Sequence, residues 1–212
     1  MTEPQHRPPR PDDPEPTSDY HFLGLAMREL LIEKGVFTAD EERRAIEAME
    51  ARSPADGARI VAHAWTDPDY KARLLADAAA AARELGIDIG PTRLVVVENT
   101  AEVHNVVVCT LCSCYPRMLL GLPPAWYKSA NYRKRVVREP RAVLAEFGTT
   151  IADGVEVRVH DSTADMRYLV VPLRPAGAEG WSEAQLAALV TRDSMVGVAP
   201  ALSPDAASSA RD

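Results

Sequence analysis

The chain has three cysteines, and Cys109, Cys112 and Cys114 all fall within six positions. Soft sulfur ligands at the spacing C-x-x-C-x-C point to a metal or to redox chemistry. An odd number of cysteines in one loop makes no framework of paired disulfides, and a reducing compartment keeps such thiols free. Several chemistries fit the residue types. Free cysteines are often small buried hydrophobes, but a cluster of three argues against that use. A structural zinc wants four closed ligands, and the fourth would have to be His104 or the distant His160, with no second Cys or His pair beside it. An iron–sulfur cluster wants a fourth cysteine that this chain does not possess. A thiol–disulfide switch between Cys109 and Cys112 stays open, although the βαβ setting of the thioredoxin type is missing. The tripeptide Cys112-Ser113-Cys114 offers a further arrangement. Two thiolates and the deprotonated amides of Ser113 and Cys114 supply four donors, and Cys109 lies close enough for a fifth. One position is then left for water or substrate, as in a catalytic metal site. Spacing permits this geometry without selecting it.

The elements that must hold this loop can be read in order. Residues 1–17 carry Pro4, Pro8, Pro9, Pro11, Pro14 and Pro16 among charges and cannot bury enough surface to offset ordering, which predicts a disordered tail. A helical arm is expected over 18–90. Phe22, Leu23, Ala26, Met27, Leu30 and Leu31 recur at helical spacing until Gly35. Thr38 and Glu41 form a capping box for a helix to about Arg52. Ser53-Pro54 starts a segment through Ala64, and Asp67-Pro68 starts one carrying Leu74, Leu75, Ala78, Ala82 and Leu85 to Gly86.

After Gly90-Pro91 the pattern changes to short β-branched runs, Leu94 to Val97 and Val103 to Val108, which predict buried strands. The second leads straight into Cys109. Leu119 to Pro124 reads as irregular. Pro124 opens a helix to about Arg138 and Pro140 another to Gly148. Val155 to Val159 alternates, and Arg167 to Val171 reads as its partner strand across a turn at Asp161-Ser162-Thr163. Ser182 and Gln185 cap a final helix, Glu183 to Arg192. The expected architecture is α+β: a helical N-terminal arm, then a layered α-β-β-α domain over 91–200 with the cysteine loop at a strand end, and a disordered tail over 201–212. A net charge of −7 and a pI near 5.3 argue against nucleic acid as a partner. The absence of a long apolar run, and an N-terminus of prolines and charges, lead to the expectation of a cytoplasmic protein with no membrane segment.

From Leu94 to Ala199 the sequence resembles the nitrile hydratase α-subunit family. The resemblance runs through Glu98-Asn99-Thr100, Val103-His104-Asn105, Cys109-Thr110-Leu111-Cys112-Ser113-Cys114-Tyr115-Pro116, Gly121-Leu122-Pro123-Pro124, Trp126-Tyr127-Lys128-Ser129, Tyr132-Arg133, Glu139-Pro140-Arg141 and Arg174-Pro175-Ala176-Gly177. This ordered set is specific to a superfamily that also holds a subunit of thiocyanate hydrolase. The resemblance implies hydration of a nitrile to the amide at a non-corrin cobalt(III) or non-haem iron(III) centre. Cys109, Cys112, Cys114 and the backbone of Ser113 would be its ligands. Cys112 would be a sulfinic acid and Cys114 a sulfenic acid whose oxygen acts beside the open site, with Cys109 unmodified. Thr110 and Tyr115, beside the ligands, match the cobalt type, so cobalt(III) is expected over iron(III). The resemblance also implies a β subunit of one or two chains in a heterodimer or heterotetramer, with arginines that hold the sulfur oxygens, and a metallation or activator protein.

Other residues carry further expectations. His104 is expected to pack or to support the ligands rather than to be one. Asp165, which stands where the family usually has Glu near the substrate, is assigned to the pocket. Arg133, Lys134, Arg135, Arg138 and Arg141 read as a solvated or subunit-facing surface. Arg117 stands where common family members have tryptophan. A long cation in place of a flat apolar wall either opens the pocket or favours a polar or anionic substrate, so a polar or bulky nitrile, such as a nitrile-bearing heterocycle or nucleoside, is expected. Two alternatives accompany this reading: the metal-binding subunit of a thiocyanate hydrolase, and a non-catalytic zinc or redox-switch module.

Overall fold

A computed structural model of the chain describes residues 18–209. The proline-rich tail expected over 1–17 lies outside them, as do residues 210–212. Contacts divide the described residues into two compact units, 18–48 and 49–209.

In the first unit, α1 (Asp19–Glu33) begins at Ser18, whose hydroxyl accepts the His21 N–H, and ends before Gly35 at φ +68°. Its apolar residues Tyr20, Phe22, Leu23, Leu25, Met27 and Leu30 are exposed. The helix α2 (Ala39–Glu50) starts with the expected capping box, with the Thr38 N–H on Glu41 Oε2 at 2.7 Å and the Glu41 N–H on Thr38 Oγ1 at 3.2 Å. Arg28 of α1 binds Glu42 of α2 through Nε at 2.7 Å.

The second unit holds α3 (Ala55–Thr66), α4 (Pro68–Ala76), α5 (Ala78–Glu84), β1 (Arg93–Glu98), β2 (Val103–Val108), α6 (Arg117–Leu120), α7 (Ala125–Lys128), α8 (Ala130–Arg135), α9 (Pro140–Glu146), β3 (Glu156–Asp161), β4 (Met166–Val171), α10 (Glu183–Ala187), α11 (Arg192–Val196) and α12 (Pro204–Ser209). Residues 49–90 of the arm expected over 18–90 belong to this second unit. Helices α3 and α4 bury Ile60, Val61, Tyr70 and Leu74 in the same core as Val106, Val107, Leu169 and Val170.

Two expected helices are interrupted. Asp77 ends α4 and its side chain accepts the Ala80 N–H to start α5. Ser129 ends α7 and caps α8 by accepting the Tyr132 N–H. Each is a polar cap inside an apolar pattern, and it competes with the continuous helix by satisfying the next helix's first amides. The final helix also stops early, at Ala187, because Thr191 and Ser194 form a second capping box for α11. Residues 204–209, expected in a disordered tail, are helical, with the Ala206 N–H on Ser203 Oγ at 3.3 Å and Pro204 at the first position.

The strands pair differently from the expected β3–β4 partnership. β1 pairs with β4, and β2 with β3, both in parallel. A tight turn cannot join parallel neighbours, so residues 162–165 pass the chain from one sheet to the other. Leu169-Val170-Val171 is buried without alternation, as in strands covered on both faces. Helices α4 and α5 lie on β1, α9 lies on β3, and β2 touches β4 between the sheets, which completes the α-β-β-α layering.

Candidate metal centre

Parallel strands deliver their carboxyl ends to one edge of a sheet, where loops can carry function over a fixed frame. In the β2–β3 pair Val108 lies opposite Asp161, so Cys109 leaves the sheet beside the end of β3. The Ser162 N–H continues the ladder onto the Val108 carbonyl at 2.7 Å. Asp161 then receives two bonds from Thr110, its backbone N–H at 2.9 Å and its hydroxyl at 2.6 Å. Arg133 Nη1 donates to the Thr110 carbonyl at 3.3 Å. On the inner side the Tyr127 hydroxyl donates to the Cys114 carbonyl at 2.8 Å, and the Tyr132 hydroxyl donates to the Val107 carbonyl at 2.7 Å. The loop is thus fastened before, within and after its cysteines.

This framework brings the three sulfurs within 4.8 Å of one another. Cys109 is buried, Cys112 exposed and Cys114 between the two. Sγ–Sγ distances are 3.4 Å from Cys109 to Cys112 and 3.2 Å from Cys112 to Cys114, well beyond a disulfide bond. The thiols share protons unequally. Hydrogen bonds from Cys114, then from Cys109, pull the Cys112 thiol down to about 7. Burial, then the bond to Cys112, pushes the Cys114 thiol up to about 12. A bound cation takes the place of those protons, since thiolates are the ligating form. Three soft donors suit a late transition ion rather than calcium or magnesium, and they are one short of the four protein ligands of a structural zinc.

A cavity of about 420 Å³ adjoins the loop, lined by Cys112, Ser113 and Cys114 together with Ile89, Arg117 and Arg167. Arg167 Nη1 is held by the carbonyls of Thr163 and Met166, and its charge lowers the Cys114 thiol against the larger effect of burial.

The sequence profile described as nitrile hydratase, alpha chain, matches residues 18–199. The chain belongs to the nitrile hydratase α-chain family. The α subunit of the low-molecular-weight cobalt-containing nitrile hydratase of Rhodococcus rhodochrous is 48% identical over 204 residues, 95% of this chain and 99% of that one. Among solved structures, a recombinant thiocyanate hydrolase with partially modified cobalt centres is similar at a TM-score of 0.81 and 45% identity, over 87% of this chain and 91% of its own. A variant of the iron-type nitrile hydratase of Comamonas testosteroni is similar at a TM-score of 0.80 and 42% identity, over 90% and 95%.

Within this nitrile hydratase α-chain fold the remaining site residues separate. Ser113 lines the cavity between the two cysteines, and Arg117 lines it from the start of α6. Tyr115 is buried, packs edge-on against Tyr127 at 5.0 Å, and its hydroxyl has no partner among the described residues. His104 is not drawn to the sulfurs. Its Nε2 donates to the Gly197 carbonyl at 2.8 Å, and burial lowers its pKa. Asp165, expected in the pocket, is exposed in the bend before β4, while Arg167 of β4 lines the cavity. Alternation along a strand applies only from Met166 onward, and Arg167 is the residue it aims inward. Arg133 is not merely solvated, since its guanidinium holds the loop and its Nε is buried. The clamp by Asp161 was not foreseen, because it depends on the β2–β3 register.

Proposed function

We propose that this chain is the metal-bearing α subunit of a cobalt-type nitrile hydratase, which adds water across a carbon–nitrogen triple bond to give the amide. The observation that carries the reading is the convergence of the three sulfurs at a strand end beside a cavity. Cys109, Cys112, Cys114 and the amide nitrogens of Ser113 and Cys114 would hold the ion, with Cys112 as a sulfinic and Cys114 as a sulfenic acid in the mature protein. When bound, a trivalent ion among anionic sulfur and amidate donors supplies Lewis acidity. The chain itself fixes the loop through Asp161, Arg133, Tyr127 and Tyr132, places the positive charge of Arg167 near Cys114, and shapes the apolar cavity. Cobalt is favoured over iron by Thr110 and Tyr115 and by the cobalt-containing relative. A β subunit, in one or two chains, completes the site, and the exposed apolar residues of α1 offer it a surface. A separate protein loads the metal. The expected compartment is the cytoplasm.

A second reading, the metal-binding subunit of a thiocyanate hydrolase, draws support from the thiocyanate hydrolase likeness and from the cation of Arg117 in the cavity. A zinc or redox-switch module is the alternative of another class. The purified complex should convert heteroaromatic nitriles to amides in preference to acrylonitrile. Release of carbonyl sulfide and ammonia from thiocyanate, with no amide from any nitrile, would favour the second reading. A strong preference for acrylonitrile would remove the polar or bulky substrate.

A further inference from the structure

Among the described residues the cavity beside the sulfurs is lined by two arginines and by no carboxylate, and its other walls include Ile89, Pro91, Leu94 and Met118. The two cations are differently engaged. Arg167 is tied to backbone carbonyls, and its charge falls on Cys114. Arg117 is exposed, and its guanidinium has no hydrogen-bond or ion-pair partner among the described residues. An arginine without a side-chain partner thus stands in the wall of a largely apolar cavity that also holds the sulfurs.

Apolar walls screen a charge less than open water does, so a cation there attracts an anion more strongly. A guanidinium also matches a carboxylate with two parallel N–H···O bonds. We propose that Arg117 is a specificity-determining residue that selects nitriles bearing a carboxylate, with the carboxylate on the guanidinium and the nitrile directed toward the sulfurs. This inference rests on the hydratase reading and narrows its substrate class to cyano-carboxylates.

The test uses the purified, metal-loaded complex with three substrates of related shape: 4-cyanobenzoate, its methyl ester and benzonitrile. The acid should show a kcat/KM at least about tenfold above the ester, chiefly through KM, as expected for one charge-assisted hydrogen bond. Arg117→Gln should bring the acid-to-ester ratio near one, Arg117→Lys should keep part of the preference, and added salt should weaken it. An ester used as well as the acid, or a ratio unmoved by Arg117→Gln, overturns the proposal and leaves the hydratase reading standing. Thiocyanate, run alongside as a small inorganic anion, overturns the carboxylate assignment if it is preferred to 4-cyanobenzoate. If none of the three yields amide, a heteroaromatic nitrile run in the same preparation separates the two failures: amide from it keeps the hydratase reading, and no amide from any nitrile ends it. Calorimetric binding of the acid and the ester to wild-type and Arg117→Gln complexes then decides the charge selection on its own, and equal affinities overturn it.

Discussion

Asp161 takes both the amide N–H and the hydroxyl of Thr110, the residue directly after Cys109. A carboxylate used in this way fixes one loop conformation, and it can do so although it is itself exposed. Because exposed charge interactions are weakened by solvent, Asp161→Ala should change overall stability by less than about 1 kcal/mol. Its effect should fall on metal retention instead, since loss of a residue that orients ligands typically costs roughly 10–100-fold in metal affinity or activity. Metal per chain after loading and thermal unfolding of the same sample measure the two separately, and full metal occupancy in the variant would contradict the role. At this scale the cysteine spacing was legible, because all three ligands come from one short loop. The positions of Arg167 and Asp165 were not, because which residue faces the cavity depends on where β4 begins.

The elements show why local signals were readable and long-range ones were not. Capping boxes at Thr38, Ser182 and Thr191 close within four residues, so residue types alone reveal them, although Thr191 went unread. The caps at Asp77 and Ser129 lie inside apolar patterns that also suit a continuous helix. Asp77→Ala should destabilise by about 1 kcal/mol in chemical denaturation, the usual cost of a lost N-cap. The sheets are a matter of pairing between residues 53 or more positions apart, such as Val103 with Glu156, and no local pattern records that choice. Gly197 marks one such long-range constraint. It sits at φ +86°, and a Cβ there would lie 2.0 Å from the Asn105 carbonyl oxygen of β2. Gly197→Ala combines left-handed strain with a backbone clash and should cost about 3 kcal/mol or more. An unchanged denaturation midpoint would show that β2 and the end of α11 are not packed as described.

For the whole molecule, acid sensitivity follows from two histidines in a polar network. Asn99 Oδ1 accepts from the Asn105 backbone and side chain, which turns Asn99 Nδ2 toward His104 Nδ1. His104 is then neutral, with its proton on Nε2. Asn105 Nδ2 donates to the Glu98 carbonyl, so Asn105 Oδ1 accepts from His160 Nε2 at 2.8 Å. Burial first, and for His160 the Arg158 charge as well, lowers both pKa values below the ordinary 6.5. The unfolded chain takes up these protons near pH 6.5, so the stability tied to the neutral forms is complete above that value and is lost as pH falls through the lowered folded-state pKa values. The thermal midpoint should drop between pH 7 and pH 5, and His104→Gln should flatten that slope. In the first unit, the exposed apolar face of α1 is the surface proposed for the β subunit. Leu23→Asp with Met27→Asp should leave the chain folded but abolish co-purification of the partner.

Metal analysis combined with peptide mass spectrometry of the purified complex decides whether Cys109, Cys112 and Cys114 form a catalytic metal site or a zinc or thiol module. A catalytic site of the proposed kind gives cobalt, two added oxygens on Cys112, one on Cys114 and none on Cys109. Zinc with three unmodified thiols would contradict it.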